Sequence, residues 1–251
     1  MVQQENAEME ASDSPLLVSV DEAIAWFKQF VLWMRIYGIF VFALSVTFGV
    51  SGLIWLGYPQ TENFCVVNHS VVLTMFIPIL CMLTLYTLGA QHPSNLTTLF
   101  FYMTVNLVPA TMFDICSDGN AITTAYVMSV AIFISFTGLT YIGGMDAKRW
   151  KCIAGIYTIL FLLFLISTGL QSVPWYTKLV VIISAFSITF FSFILCYDTS
   201  VVIYQASYLY CIRAALRLYV TTVSIFLAIL FMLSMPKWVD YAANSTVTKS
   251  S

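Results

Sequence analysis

Seven stretches of this chain are apolar for long enough to cross a bilayer as helices: residues 36–56, 70–89, 95–113, 121–143, 152–170, 179–197 and 214–234. A hydrocarbon core about 30 Å thick takes about 20 residues of helix. Inside it every backbone N–H and C=O needs a protein partner, which leaves helices and closed barrels as the spanning structures. Barrel strands alternate apolar and polar residues, whereas these runs are continuous, so the sequence predicts an all-α membrane protein, a seven-helix transmembrane bundle. Composition supports this: 60% of the residues are hydrophobic and 9% are charged, against about a quarter charged in a soluble domain. So few charges cannot cover a water-facing surface. The third run is the most diluted, by Asn95, Asn106 and Pro109.

The charged residues orient the bundle and divide the chain. Lys28, Arg35, Lys148, Arg149, Lys151, Arg213 and Arg217 all fall on one side of a seven-span chain, leaving Lys178, Lys237 and Lys249 on the other. Basic residues concentrate on the cytosolic side, so the N-terminus is expected there and the C-terminus in the lumen or outside. Before Lys28 the chain holds Glu5, Glu8, Glu10, Asp13, Asp21 and Glu22 and no basic residue. A secretory signal begins with a basic region, so residues 1–28 read as an acidic, disordered cytosolic tail and the first span as an uncleaved anchor. Residues 29–240 form the transmembrane domain and 241–251 a short C-terminal tail. Pro78 and Pro109 each remove a backbone donor within a span and predict kinks. Gly49, Ser51 and Gly52, and Gly138, Gly143 and Gly144, are small residues suited to close helix contacts.

Several function classes are excluded. A cytosolic N-terminus, no Asp-Arg-Tyr after the third run and no Asn-Pro-x-x-Tyr in the seventh argue against a G-protein-coupled receptor. Ten Lys and Arg spread along the chain form no basic patch for nucleic acid. His69 and His92 are the only histidines and fall on opposite sides of the membrane. There is no His-Glu-x-x-His, Gly-x-Ser-x-Gly or Cys-x-x-Cys, so no enzyme, no zinc site and no cofactor is expected.

The sixth run ends on an acid: Leu179 to Tyr197 is followed by Asp198-Thr199-Ser200. An acid at the edge of a bilayer helix is costly and has either a function or a partner. Phe193-Ile194-Leu195-Cys196-Tyr197-Asp198-Thr199-Ser200 resembles the Tyr-Asp-Thr-Gln signature of the transmembrane Bax inhibitor motif family. Ala214-Ala215-Leu216-Arg217-Leu218-Tyr219-Val220-Thr221 is similar to that family's last helix, where the pattern is Leu-Asn-Leu-Tyr-Leu-Asp. His92-Pro93-Ser94-Asn95-Leu96 resembles its His-Pro-x-Asn-Leu. The resemblance implies a seven-helix bundle with the last helix at the centre, and roles in calcium leak from intracellular stores and in protection from cell death. It also implies two acids, one in each of the last two helices, that form a proton-sensitive pair. Here the first acid is Asp198 and the second position carries Thr221, and residues 70–89 hold none of the basic residues that some members place in the second helix. Two nearby carboxylates repel when both are ionised and titrate as a unit. A Thr hydroxyl donates a hydrogen bond but stores no proton. Such divergence, with the long acidic tail, suits a virus-borne copy of the cytomegalovirus type, since betaherpesviruses carry an expanded set of seven-span proteins, some diverted to immune evasion.

Two readings of Asp198 stay open: an acid that senses protons or lines an ion path, with Thr221 beside it, or a structural acid paired with Arg213 or Arg217 or solvated. Arg217 itself reads as an interfacial anchor. Cys81, Cys152, Cys196 and Cys211 lie in or beside spans as small apolar residues, whereas Cys65 and Cys116 lie in non-cytosolic loops, where a disulfide between them would persist. Asn68-His69-Ser70 and Asn244-Ser245-Thr246 are expected on the non-cytosolic side as glycosylation acceptors, Asn244 the better placed. Asp13-Ser14-Pro15-Leu16-Leu17 resembles an Asp-x-x-Leu-Leu sorting signal. Two functions follow. One is a modulator of intracellular calcium or cell death, acting as a weak leak channel or as the partner of one, with calcium ions as a candidate partner. The other is a viral membrane protein that binds host membrane proteins and redirects their trafficking. Both place the chain in the lipid bilayer of endoplasmic reticulum, Golgi or endosomal membranes.

Overall fold

The computed structural model describes residues 15–58, 70–87, 96–143, 163, 174–204 and 211–248, with the side chains of 23–58, 71, 73–87, 96–141, 163, 174–204 and 211–235. The described chain is helical: α1 (Pro15–Gly57), α2 (Ser70–Leu73), α3 (Phe76–Thr87), α4 (Leu96–Ile115), α5 (Gly119–Gly143), α6 (Trp175–Tyr204) and α7 (Cys211–Thr248). Five helices hold segments long and apolar enough to cross a membrane: Ala23–Gly57, Leu96–Ile115, Gly119–Tyr141, Trp175–Tyr204 and Cys211–Met235. The predicted run 152–170 lies outside the described residues except for Leu163, which is helical, so the count of seven rests on the sequence.

Helix α1 starts at Pro15, well inside the stretch expected to be a disordered tail. Proline suits the first helical position, where its missing N–H is no loss, and residues 16–37 contain neither Gly nor Pro to interrupt the ladder. At 1.5 Å per residue its 43 residues reach about 64 Å, twice the hydrocarbon thickness. Likewise the backbone of α7 stays helical to Thr248, through most of the expected C-terminal tail. Bilayer-length apolar runs mark where a helix is buried in lipid, not where it ends.

The second predicted span is two pieces. Pro78 sits in the first turn of α3, and its missing N–H leaves the Thr74 carbonyl without an α-helical donor. Ile77 N donates to Thr74 O instead (3.1 Å), Thr74 N donates to Val71 O (3.0 Å), and Thr74 Oγ1 also reaches Val71 O (2.6 Å). The tighter three-residue bonds break the helix between α2 and α3. Pro109 lies inside α4.

Between α4 and α5 the chain turns sharply. Cys116 N and Ser117 N donate to the carbonyls of Phe113 and Asp114. Asp118 then caps α5, its Oδ1 accepting from Ala121 N at 3.1 Å. Cys116 is disulfide-bonded; Cys65 lies outside the described residues. Gly119 allows a close approach, since a Cβ there would stand 3.2 Å from the Trp55 ring. At Gly49, Gly52 and Gly138, by contrast, a Cβ would meet nothing within 4 Å, so these three make no such close approach.

Helix α7 occupies the centre, packed against α1, α3, α4, α5 and α6. In its membrane segment 78% of the residues are buried, against 17% to 39% in the other four. Leu218, Tyr219, Val220, Val223, Ile229 and Leu230 are fully enclosed. Around it the outer helices turn Phe42, Leu53, Leu83, Phe101, Val127 and Phe186 outward, where lipid is the solvent. The chain is an integral membrane protein.

Candidate functional site

Hydroxyl groups show where the helices of this bundle are tied together. A Ser or Thr in hydrocarbon is satisfied most simply by the carbonyl four residues back on its own helix. Ser129, Thr140, Thr189, Ser192, Thr222 and Ser224 do this, at 2.7–2.8 Å. Thr47, Ser51, Thr221, Ser117 and Ser234 reach across to other helices instead. Those exceptions gather at three places along α7, and Thr84 of α3 makes a further tie, to the Tyr102 hydroxyl of α4 at 2.8 Å.

The first is Asp198, near the end of α6 and 2% exposed. Tyr86 of α3 donates its hydroxyl to Asp198 Oδ1 at 2.5 Å. Arg217 of α7 stands beside the same oxygen, its Nη1 4.0 Å away, and its guanidinium lies over the Tyr86 ring at 4.3 Å from the centroid. Thr221, one turn further along α7, donates toward Asp198 Oδ2 at 3.5 Å and toward Met82 Sδ at 3.7 Å. The tyrosine bond is short and charge-assisted; the threonine contacts are at the long limit of hydrogen bonding. One carboxylate therefore joins three helices, and its charge is met by a cation that itself rests on an aromatic face.

The sequence-predicted residues Asp198 and Thr221 thus come together, with Thr221 standing at the second acid's expected position. Among the rest of the family signature, Thr199 is buried behind Asp198 with its hydroxyl unpartnered, Tyr197 faces outward and Leu218 is enclosed in the core. Tyr219 makes the second cross-helix tie, its hydroxyl 2.7 Å from Thr47 Oγ1 of α1. Arg217, expected as an interfacial anchor, belongs to the site: its side chain is 16% exposed and borders Asp198.

Sequence reading missed Tyr86 and Met82. Tyr86 was one tyrosine in an uncharged run, and its signal was the acid it serves, 112 residues away. The third tie was missed as well. Asp114, the last acid of α4, is 3% exposed and takes a hydrogen bond from Ser51 of α1 through Oδ2. Beside it Ser117 and Ser234 pair at 2.8 Å.

Among the described residues no group of three or more His, Cys, Asp or Glu is placed to hold a metal. Cys81 and Cys196 are free and buried, and Cys211 is buried. Asp13, Asn68 and the His92–Asn95 motif lie outside the described residues, and Leu16, Leu17 and Asn244 are described in backbone only.

Comparison with known proteins follows the same lines. The family described as "Inhibitor of apoptosis-promoting Bax1" matches residues 28–238. The chain is 46% identical over 241 residues to Membrane protein US20 of human cytomegalovirus (strain Merlin), covering 94% of this chain and 95% of that one. It is 45% identical over 251 residues to Transmembrane protein HWLF3 of strain AD169, covering 98% and 73%. To Membrane protein US13 of strain Merlin it is 26% identical over 230 residues, covering 88% and 86%. No solved structure matches the chain.

Proposed function

The chain belongs to the family of inhibitors of apoptosis-promoting Bax1, and from that premise we propose that it modulates intracellular calcium homeostasis or cell death in host endomembranes, as a weak leak channel or as the partner of one. The observation that carries this reading is the enclosure of Asp198 by Tyr86, Arg217 and Thr221 against the central helix. Side chains from Leu216 to Leu230 fill the surroundings of α7, so ion passage requires α7 to shift against its neighbours. Asp198 ties α6 to α7 through Arg217 and to α3 through Tyr86, and loosening those ties is the step that would open the bundle. Thr221 contributes a hydroxyl and no second carboxylate, so protons have little leverage there. No enzymatic step and no cofactor is part of this reading.

Calcium efflux from liposomes containing the purified protein tests it, at neutral and mildly acidic pH, with wild type, Asp198→Asn and Thr221→Asp. The expected order is a weak, nearly pH-independent leak for wild type, an altered leak for Asp198→Asn, and a steeper pH response for Thr221→Asp, where two carboxylates repel. A strong leak with steep pH dependence in wild type would show that Thr221 is no handicap.

A second reading is favoured by α1. The first side chains described on it expose Ile24, Trp26, Phe27, Phe30 and Met34, with Trp26 and Phe30 stacked at 5.5 Å. On a helix twice as long as the bilayer core is thick, that apolar face suits a helix of a host membrane protein whose traffic the chain redirects. Absence of efflux in all three variants, with relocation of the protein on deletion of Asp13 to Leu17, would favour this reading over the first.

A further inference from the structure

The bundle buries a second carboxylate that the Asp198 site does not use. Asp114 ends α4, where it meets α1 and α7. Ser51 donates to its Oδ2, while its Oδ1 is buried with no hydrogen-bond partner. Its backbone carbonyl accepts from Ser117 N at 3.1 Å, and the Ser117 hydroxyl pairs with Ser234 of α7. Thr221, beside Asp198, is thirteen residues from Ser234, so the two acids lie toward opposite ends of the membrane segment of α7, Cys211–Met235, about 20 Å apart along its axis.

No described counter-charge faces Asp114. After Arg35, α1 carries Tyr37 as its only titratable side chain, and Tyr37 lies far along the helix, against Phe40 and Phe133. Helix α2 carries none. Helix α3 offers Cys81 and Tyr86, the latter committed to Asp198. Between Arg217 and Met235, α7 offers only Tyr219, which is paired with Thr47. In the turn after α4, Cys116 is disulfide-bonded and Asp118, a second acid, caps α5.

We propose that Asp114, held by Ser51, is a proton-binding site at the end of the bundle opposite Asp198, so that the protein carries one buried acid toward each side of the membrane. A bare carboxylate in this setting, with one neutral donor and no cation among the described side chains, is too costly to persist. A larger cation does not solve this, because calcium takes six to eight oxygens and the described oxygens here are one carboxylate, with Oδ1 closed off, the Ser51 hydroxyl and the Ser117 and Ser234 hydroxyls, which pair with each other. A proton needs no ligand shell. The step is transfer of H⁺ from hydronium or a buffer acid to a carboxylate oxygen, which takes the side chain from charge −1 to 0 and breaks no heavy-atom bond. This assignment is independent of whether the chain passes calcium.

Infrared spectroscopy of the full-length protein in phosphatidylcholine vesicles tests the assignment across neutral to mildly acidic pH. The expected result is a carboxylic-acid C=O band that is lost in Asp114→Asn, kept in Asp198→Asn, and shifted in frequency in Ser51→Ala. Superimposable spectra of wild type and Asp114→Asn overturn it, as does removal of the band by calcium at fixed pH, which would mark a metal site. Should Asp114→Asn fail to fold, Ser51→Ala decides the matter, because it leaves the carboxyl in place: an unshifted band overturns the pairing.

Discussion

Asp198 and Asp114 are buried to nearly the same degree, 2% and 3% exposed, in the same bundle and against the same central helix. Their surroundings differ in kind. Asp198 has a tyrosine hydroxyl at 2.5 Å, a threonine hydroxyl and an arginine that lies over the tyrosine ring. Asp114 has one serine and an unpartnered oxygen. Burial alone therefore does not say what an intramembrane acid is for. The partners decide whether it persists as an ion within a scaffold or exists to take up a proton.

Removing the cation gives the largest expected effect. Arg217→Met leaves Asp198 buried and uncompensated, a loss of about 3–5 kcal/mol for a broken buried pair, toward the lower value because Arg217 is partly exposed and stands 4.0 Å away. The thermal unfolding midpoint in detergent should fall sharply, and Asp198→Asn combined with Arg217→Met should restore part of it. Asp114→Asn should leave the midpoint nearly unchanged, since it swaps one neutral side chain for another. Equal losses from Arg217→Met and Asp114→Asn would erase the distinction between the two ends.

Next comes Tyr86→Phe, which keeps the ring under Arg217 and deletes only the hydroxyl. A hydrogen bond to a charged group contributes about 1.5–3 kcal/mol, and a loss in that range, read by the same melting experiment, is expected. At the other end Ser51→Ala removes the single donor to Asp114. A bond between neutral partners contributes about 0.5–1.5 kcal/mol, so Ser51→Ala should cost less than Tyr86→Phe. The reverse order would mean that Asp114 carries a charge.

These contrasts explain how much of the site could be read in advance. Asp198 is legible because it interrupts the chemistry of its surroundings, an acid directly after an uncharged, largely apolar run of nineteen residues, and Thr221 because a motif gives its position. The helical class and the central last helix followed from run length and the same motif. Asp114 is hidden by its position: the diluted third run reads as apolar only to residue 113, so the acid falls just outside it as an apparent loop residue. Tyr86 was hidden for the opposite reason, since nothing in an apolar stretch distinguishes a tyrosine that packs from one that donates to an acid on another helix. Arg217 was counted as a loop charge, which is correct for its position along the chain and silent about its direction. Helix ends escaped as well, because the ladder of α1 continues to Pro15 beyond any bilayer-length window.

The smallest expected effect is at Thr221, and it bears most directly on the family resemblance. Thr221→Val keeps the shape of the side chain and removes the hydroxyl. That hydroxyl is divided between Asp198 Oδ2 at 3.5 Å, beyond the 2.5–3.0 Å of a good O–H···O bond, and Met82 Sδ at 3.7 Å, a weak thioether acceptor. Asp198 Oδ1 keeps Tyr86 and Arg217 in the variant, so the carboxylate stays supported. A loss below about 0.5 kcal/mol, at the foot of the range for a single hydrogen bond, is expected by melting in detergent, together with an unchanged calcium efflux. The position at which the family resemblance implies a second acid would then be structurally neutral here. A loss above about 1.5 kcal/mol would instead make Thr221 a principal support of Asp198, and the comparison between a well-held acid and a poorly held one would rest on the threonine as much as on Tyr86.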